Sequence, residues 1–370
     1  MMMLGAMLWL TSCTSEDATK EAAPQEAIAI SFGCTLENDD MTRAVIGQNG
    51  VMNSEDLHYT GFGVFASQSA GTQPDLMYNQ EVEFTFVGDL GHSDPEDDES
   101  ELLRGYWSYS PIKYWPASLT GLYFCAYAPY VDYATANAAT VDDTGIVGMS
   151  SNTDTTPYVL YRRSQKPDET VDLLWCCKTG LLTREALYFN MYHALARLEV
   201  KVKVASLPEN TKVLIKQITL TGTMTKTAKL ILNDETVVGD NHYPHWEALA
   251  TPDTEDRTIE ITNKDNDEDS YGIIDSPVRY IDGLPYAWQP AGLSTTAQNA
   301  LSTGDRQGYI YLIPQDALNL SVTVKYHKMT SAGGDDEETT TVTPISINPF
   351  KGNKTYTLNL NLTLAPPPTP

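Results

Sequence analysis

Ile28-Ala29-Ile30-Ser31-Phe32-Gly33-Cys34-Thr35-Leu36 places an apolar side chain, or the small thiol of Cys34, at every even position and a small or polar residue at every odd one. Successive side chains of a strand point to opposite faces, so a period of two describes a strand with one dry and one wet face. The pattern recurs. Val82, Phe84 and Phe86 alternate with Glu83 and Thr85. Leu198, Val200, Val202 and Val204 alternate with Arg197, Glu199, Lys201 and Lys203. Residues 318–326 and 356–364 repeat it against Asn319, Ser321, Thr323 and Lys325, and against Thr357, Asn359, Asn361 and Thr363. Antiparallel sheets packed face to face give such strands what they need. Helical periodicity is thin. Residues 183–197 could form a short turn or helix, but Tyr188-Phe189-Asn190 leans to strand. The expectation is an all-β chain of two antiparallel β-sandwich domains in tandem, residues 28–195 and 196–370.

Ahead of the first strand, Leu10-Thr11-Ser12-Cys13 follows a short apolar run: an apolar residue, two small residues, then cysteine. This order reads as a lipoprotein cleavage box, with residues 1–12 as signal peptide and Cys13 as the lipidated N-terminus, although residues 1–10 carry no Lys or Arg. Acyl chains on Cys13 would join the protein to a membrane, each buried CH₂ contributing roughly 0.8 kcal/mol. Residues 13–27 are acidic and lack large apolar side chains, as in a flexible tether. The closing Ala365-Pro366-Pro367-Pro368-Thr369-Pro370 is a tail that cannot continue a ladder.

The 370 residues carry a formal net charge of −25. No basic block exists to displace phosphate counterions, which excludes nucleic acid as a partner. The acid clusters at residues 94–101, 265–269 and 335–338, as solvated loops would. Beyond Cys13, the cysteines Cys34, Cys125, Cys176 and Cys177 allow three complete pairings, and the sequence does not choose among them. Cys34 and Cys125 lie within apolar runs and read as small core residues.

Catalytic chemistry has no foothold. There is no G-x-S-x-G elbow, phosphate loop or H-E-x-x-H motif. His242-Tyr243-Pro244-His245 lacks an identifiable third metal ligand. The Asp265-Asn266-Asp267-Glu268-Asp269 run starts like a calcium loop. It then places Ser270 where glycine is required and Ser276 where the closing glutamate belongs. The expectation is a protein that is not an enzyme and has no cofactor, metal or catalytic residue.

One segment is unusually dense in aromatics: Trp107-Ser108-Tyr109-Ser110-Pro111-Ile112-Lys113-Tyr114-Trp115-Pro116, followed by Leu122-Tyr123-Phe124-Cys125-Ala126-Tyr127-Ala128-Pro129-Tyr130. It resembles the fimbrillin family of surface lipoproteins from Bacteroides-type bacteria. Further matches occur in order: Met41-Thr42-Arg43-Ala44, Phe62-Gly63-Val64-Phe65-Ala66, Met77-Tyr78-Asn79-Gln80, His193-Ala194-Leu195-Ala196-Arg197-Leu198, Tyr311-Leu312-Ile313-Pro314-Gln315 and Lys351-Gly352-Asn353-Lys354-Thr355-Tyr356. From the residues alone, the aromatics supply core area, with a platform for sugar rings as the alternative.

The resemblance implies a pilus subunit or tip adhesin of two transthyretin-like β-sandwiches. It would be exported to the outer membrane as a lipoprotein and displayed in surface fimbriae. Its partners would be other fimbrial subunits, an Arg-specific surface protease, and a host or bacterial glycan or protein receptor. The protease would cut at Arg43-Ala44, after the polar loop Glu37-Asn38-Asp39-Asp40. That cut would release a first strand whose Ile28, Ile30, Phe32, Cys34 and Leu36 face the core. A strand from the next subunit would fill the groove by β-strand addition. The candidate C-terminal donor strand carries Tyr356, Leu358, Leu360, Leu362 and Leu364. From the residues alone, 341–348 and 356–364 could form a hairpin around residues 351–354. With no further apolar strand after Leu364, a tip or accessory role is mildly favoured. The alternatives are an uncut pilus anchor subunit and a permanently anchored lipoprotein that binds glycans.

Overall fold

The computed structural model describes residues 27–36, 52, 54–69, 71–87, 105–117, 121–164, 170–204, 211–262, 273–274, 310–330, 335–362 and 364. Strand β1 (Phe32–Leu36) comes first. Helix α1 (Ser54–Thr60) leads into β2 (Phe62–Ser67), β3 (Met77–Phe86), β4 (Gly105–Ser108) and β5 (Leu122–Ala128). Helix α2 (Tyr133–Asn137) precedes β6 (Gly145–Met149), β7 (Tyr158–Arg162), β8 (Leu174–Leu181), β9 (Leu187–His193) and β10 (Ala196–Val204). Two long strands follow, β11 (Thr211–Val238) and β12 (Asn241–Thr262). The rest are β13 (Ile273–Ile274), β14 (Ile310–Leu312), β15 (Leu318–Thr330), β16 (Asp335–Ile347) and β17 (Lys354–Leu362). The all-β expectation holds. The two helices were not legible because one or two turns carry no helical period. Helix α2 is held by its cap, the Asp132 carboxylate accepting from the Thr135 N–H at 3.0 Å. No helix among the described residues is long and apolar enough to cross a membrane.

The first sheet has the order β1-β9-β8-β5-β2-β3-β4. Its central strands β2 and β5, with the first residues of β8, are buried on both faces. Phe62, Val64, Phe124, Ala126, Leu174 and Cys176 enter one core, while Phe65, Cys125, Tyr127 and Trp175 enter a second. The second core is roofed by β6, β7 and the far half of β11, through Met149, Val159, Tyr161, Leu230 and Leu232. A third core lies between the β14-β10-β17 sheet and the β11-β15-β16 layer. Strand β11 therefore serves two cores, pairing with β15 over its first half and with β7 through residues 227–231.

Two pairings depart from the antiparallel expectation. Strand β1 runs parallel to β9, and β17 runs parallel to β10. The C-terminal hairpin also does not form, since β16 pairs with β15 while β17 pairs with β10. Ile345 and Ile347 of β16 and Leu358, Leu360 and Leu362 of β17 face the same core from opposite layers, so the connection must cross between sheets. It turns at Asn353 with φ of 51°, a conformation asparagine tolerates. At the adjacent Gly352 a Cβ would lie 2.3 Å from the Ala194 carbonyl oxygen.

Tyr127 shows how tightly the first sheet is built. Its ring lies over Gly63, where a Cβ would sit 2.4 Å from the ring edge. Its hydroxyl is 2.7 Å from Asn79 Oδ1 and 2.9 Å from the Val131 carbonyl oxygen, both acceptors. Substituting Gly63→Ala should cost roughly 1–3 kcal/mol through overpacking, read as a lower urea midpoint at unchanged slope. Burial pushes the phenols of Tyr127 and Tyr161 well above their ordinary value, and that of Tyr78 to about 12. A raised folded-state pKa means the native state holds protons that the unfolded chain has released. Stability should therefore be full below about pH 10, and fall as the pH rises beyond it. Urea midpoints at pH 8 and pH 11 test the sign.

Candidate functional site

The segment at residues 28–36 joins the two ends of the first sheet. Its beginning belongs to the aromatic segment that follows β4. The Ile30 N–H donates to the Lys113 carbonyl and the Trp115 N–H to the Ile28 carbonyl, each at 2.9 Å. The Tyr109 hydroxyl donates to the Ile30 carbonyl at 2.8 Å. The chain then crosses to β9, where the Leu187 N–H donates to the Ser31 carbonyl at 2.9 Å. Strand β1 also touches β4, at the opposite end of the strand order. The sheet thus curls until one strand closes it.

Ile30, Phe32 and Leu36 are buried in the core that this curl encloses, and Cys34 packs half-buried against it. Ile28 is 45% exposed, so the inward row begins at Ile30 rather than at Ile28. Its backbone there serves the ladder to Trp115 instead. The Phe32 ring stacks on Phe189 at 5.6 Å and lies 5.2 Å from Tyr109, with Phe62 and Phe124 edge-on. On the outer face Gly33 leaves room for the exposed Tyr188 ring, which a Cβ would meet at 2.4 Å.

Burying Ile30, Phe32 and Leu36 contributes on the order of 5–9 kcal/mol at about 1.5–3 kcal/mol per side chain. That is comparable to the whole stability of a typical domain. The dependence is mutual. Residues 187–191 of β9 pair with β1, whereas β8 pairs only with Tyr192 and His193.

Cys13, Arg43 and Ala44 lie outside the described residues. Past them, Met52 is fixed at the end of the core where β1 finishes. Its N–H donates to Asp172 Oδ2 at 3.1 Å, and the same oxygen accepts from His193 Nδ1 at 2.7 Å. The Leu173 N–H supplies Oδ1 at 2.9 Å. A carboxylate with three donors is well satisfied in a buried place, and it requires the His193 proton on Nδ1. Nothing in the sequence marked Asp172 for this role.

Among the described residues, several other arginines are engaged. Arg162 Nη1 donates to the Thr140 and Asp143 carbonyls, and Arg184 Nη2 to those of Pro116 and Ala117. Arg163 is buried, with Nη1 donating to the Ser164 carbonyl. Arg197 is half-buried within β10.

The expected donor residues Leu358, Leu360, Leu362 and Leu364 are buried in the third core, with Tyr356 packed against it. Strand β17 starts beside the end of β1. Odd-numbered backbone groups of β9 and its continuation face both strands: the Leu187 N–H meets Ser31, and the Leu195 carbonyl accepts from the Asn353 N–H at 3.1 Å. The intervening Ala194 N–H turns the other way, to the Leu173 carbonyl of the β8 side. β1 and β17 therefore lie in tandem along one side of a single ribbon.

The aromatic segment is mostly core. Trp115, Phe124 and Tyr127 are buried, and Trp107 and Tyr109 pack against the first core. Tyr114 is exposed. His242 and His245 take separate carboxylates, Glu235 at 3.0 Å and Asp234 at 2.5 Å. Among the described residues no three His, Cys, Asp or Glu side chains converge as metal ligands. The calcium-like run at residues 265–269 lies outside them.

The family described as fimbrillin-like matches residues 42–366. The fimbrium subunit Fim1C of Phocaeicola vulgatus is 24% identical over 399 aligned positions, covering 98% of this chain and 92% of that protein. A fimbrial protein of Bacteroides vulgatus, known from a crystal structure, shares the fold with a TM-score of 0.58 at 19% identity. The match covers 90% of this chain and 95% of that one.

Substituting Phe32→Ala should remove roughly 3–5 kcal/mol from the seat of β1. Amide exchange at residues 187–191 should accelerate strongly, while amides of β2 and β5 change far less.

Proposed function

The chain belongs to the fimbrillin-like family, and from that premise we propose that it is a fimbrial subunit assembled on the cell surface by strand exchange. It reaches the outer membrane as a lipoprotein acylated at Cys13. An Arg-specific surface protease cuts between Arg43 and Ala44 and releases residues up to Arg43, β1 among them. A neighbouring subunit then supplies a strand to the vacated groove. The observation that carries this reading is the mutual dependence of β1 and the first core. The edge segment at residues 30–36 provides Ile30, Phe32 and Leu36 to that core, and its strand β1 is the pairing partner of residues 187–191.

The physics of assembly follows. Release of β1 bares an apolar groove and the unpaired backbone of β9, a template for β-strand addition. A loss on the order of 5–9 kcal/mol makes the empty subunit unstable until refilled. Arg162, Arg163 and Arg184 are engaged within the fold, which favours Arg43 over those three as the bond chosen. After the cut, Met52 stays tied to Asp172, so the new N-terminus begins a few residues from the open end of the groove.

Strand β17 has the alternation of a donor, but its own core uses it. Donation would break nine register pairs with β10 and uncover Leu358, Leu360 and Leu362. A subunit that accepts a strand and keeps β17 suits a tip or accessory position.

Intact mass and N-terminal sequencing of protein from sheared surface fibres should find chains beginning at Ala44. Fibre-borne chains beginning at an acylated Cys13 would refute cleavage. Limited trypsin treatment should yield polymers from the wild-type protein and none from Arg43→Ala. A stable monomer after loss of β1 would sink strand exchange.

A further inference from the structure

We propose that Cys125 and Cys177 form a disulfide in the exported protein, a cross-strand bridge between β5 and β8. The two residues are direct register partners on neighbouring antiparallel strands. Their side chains point to the same face, into the core roofed by β6, β7 and β11. Directly opposed antiparallel residues have Cα atoms roughly 4.5–5.5 Å apart, inside the range of about 4.4–6.8 Å that a disulfide spans. Both thiols are free in this structure.

Strand geometry disfavours the rival pairings. Cys176 follows in the alternation and points into the opposite core. A Cys176–Cys177 bond would have to join side chains on opposite faces of one strand. Cys34 sits on β1, separated from β8 by β9. Burial pushes the Cys34, Cys125 and Cys176 thiols up alike, so exchange does not begin at any of the three.

Cys177 is half-buried and is the sulfur that an oxidant meets first. Cys125 is buried but lines a cleft of about 90 Å³ together with Phe65, Tyr123 and Pro157. The oxidant is a dithiol–disulfide oxidoreductase of the cell envelope. The Cys177 thiolate attacks its disulfide to give a mixed disulfide, and the first oxidant sulfur departs and takes a proton. Cys125 then displaces the second oxidant sulfur and passes its proton to it. One Sγ–Sγ bond forms, and the oxidant leaves as a dithiol carrying two electrons and two protons. The bridge closes a loop that contains α2, β6 and β7. It thereby ties the roof of the second core to the sheet beneath it and removes freedom from the unfolded chain.

The experiment uses protein taken from the cell surface, quenched in acid, alkylated while denatured without reductant, and mapped by mass spectrometry. The expected result is a peptide pair joined through Cys125 and Cys177, alkylated Cys34 and Cys176, and an intact mass about 2 Da below the all-thiol value. Alkylation of both Cys125 and Cys177, or a bridge that includes Cys34 or Cys176, overturns the proposal. Reductant should lower the melting temperature of the wild-type protein by roughly 5–15 °C and leave that of Cys177→Ser unmoved. An equal reductant effect on both proteins overturns it as well.

Discussion

Where β1 lies against β9, Phe32 stacks on Phe189, and Ile30 and Leu36 fill the core on either side of it. The neighbouring sheet cannot close without this contact, because its two ends meet only through the segment that carries β1. The aromatic segment after β4 gains a purpose from it. The Tyr109 hydroxyl and the backbone around Lys113 and Trp115 hold the start of that segment, while β9 holds its end. The strand is strongly bound, yet it is an edge element of its sheet. Such a strand can be both necessary to a fold and separable from it.

The third core is insulated from events at that edge. Strands β9 and β10 form nearly one ribbon, with β1 and β17 seated in tandem on its same side. Each of the two cores beside the ribbon has its own closing strand. Between the two seats, the Gly352-Asn353 turn presses on Ala194 and Leu195, and the Trp246 indole N–H donates to the Ala194 carbonyl at 3.0 Å. Strand β11 adds a second tie, since its two halves serve different cores. Opening the first core therefore leaves β10, β11 and β17 with their partners.

Much of this was legible from local pattern. The even positions of residues 30–36 were readable as inward-facing, as were those of residues 198–200 and 358–364, and all are buried or half-buried. Ile28 failed because alternation does not reveal where a strand leaves its core to pair with something else. The C-terminal hairpin failed for a related reason: two alternating runs joined by a Gly-Asn turn are compatible with a hairpin and with a crossing between layers. The buried Asp172–His193 pair left no trace, because an acid and a histidine 21 residues apart have no spacing that marks them as neighbours.

The sequence by itself determined that this is an all-β protein, which residues of its plainly alternating runs face inward from Ile30 onward, and which family it resembles. These follow from alternation along a single strand and from motifs read in order, both properties of short stretches of chain. Tertiary structure alone decided that β1 and β17 run parallel to one ribbon, that β11 is shared, and that Cys125 faces Cys177. Thr35 meets Phe189 across 154 residues of chain. Partners so distant are selected by which cores must be closed, and no local pattern carries that information.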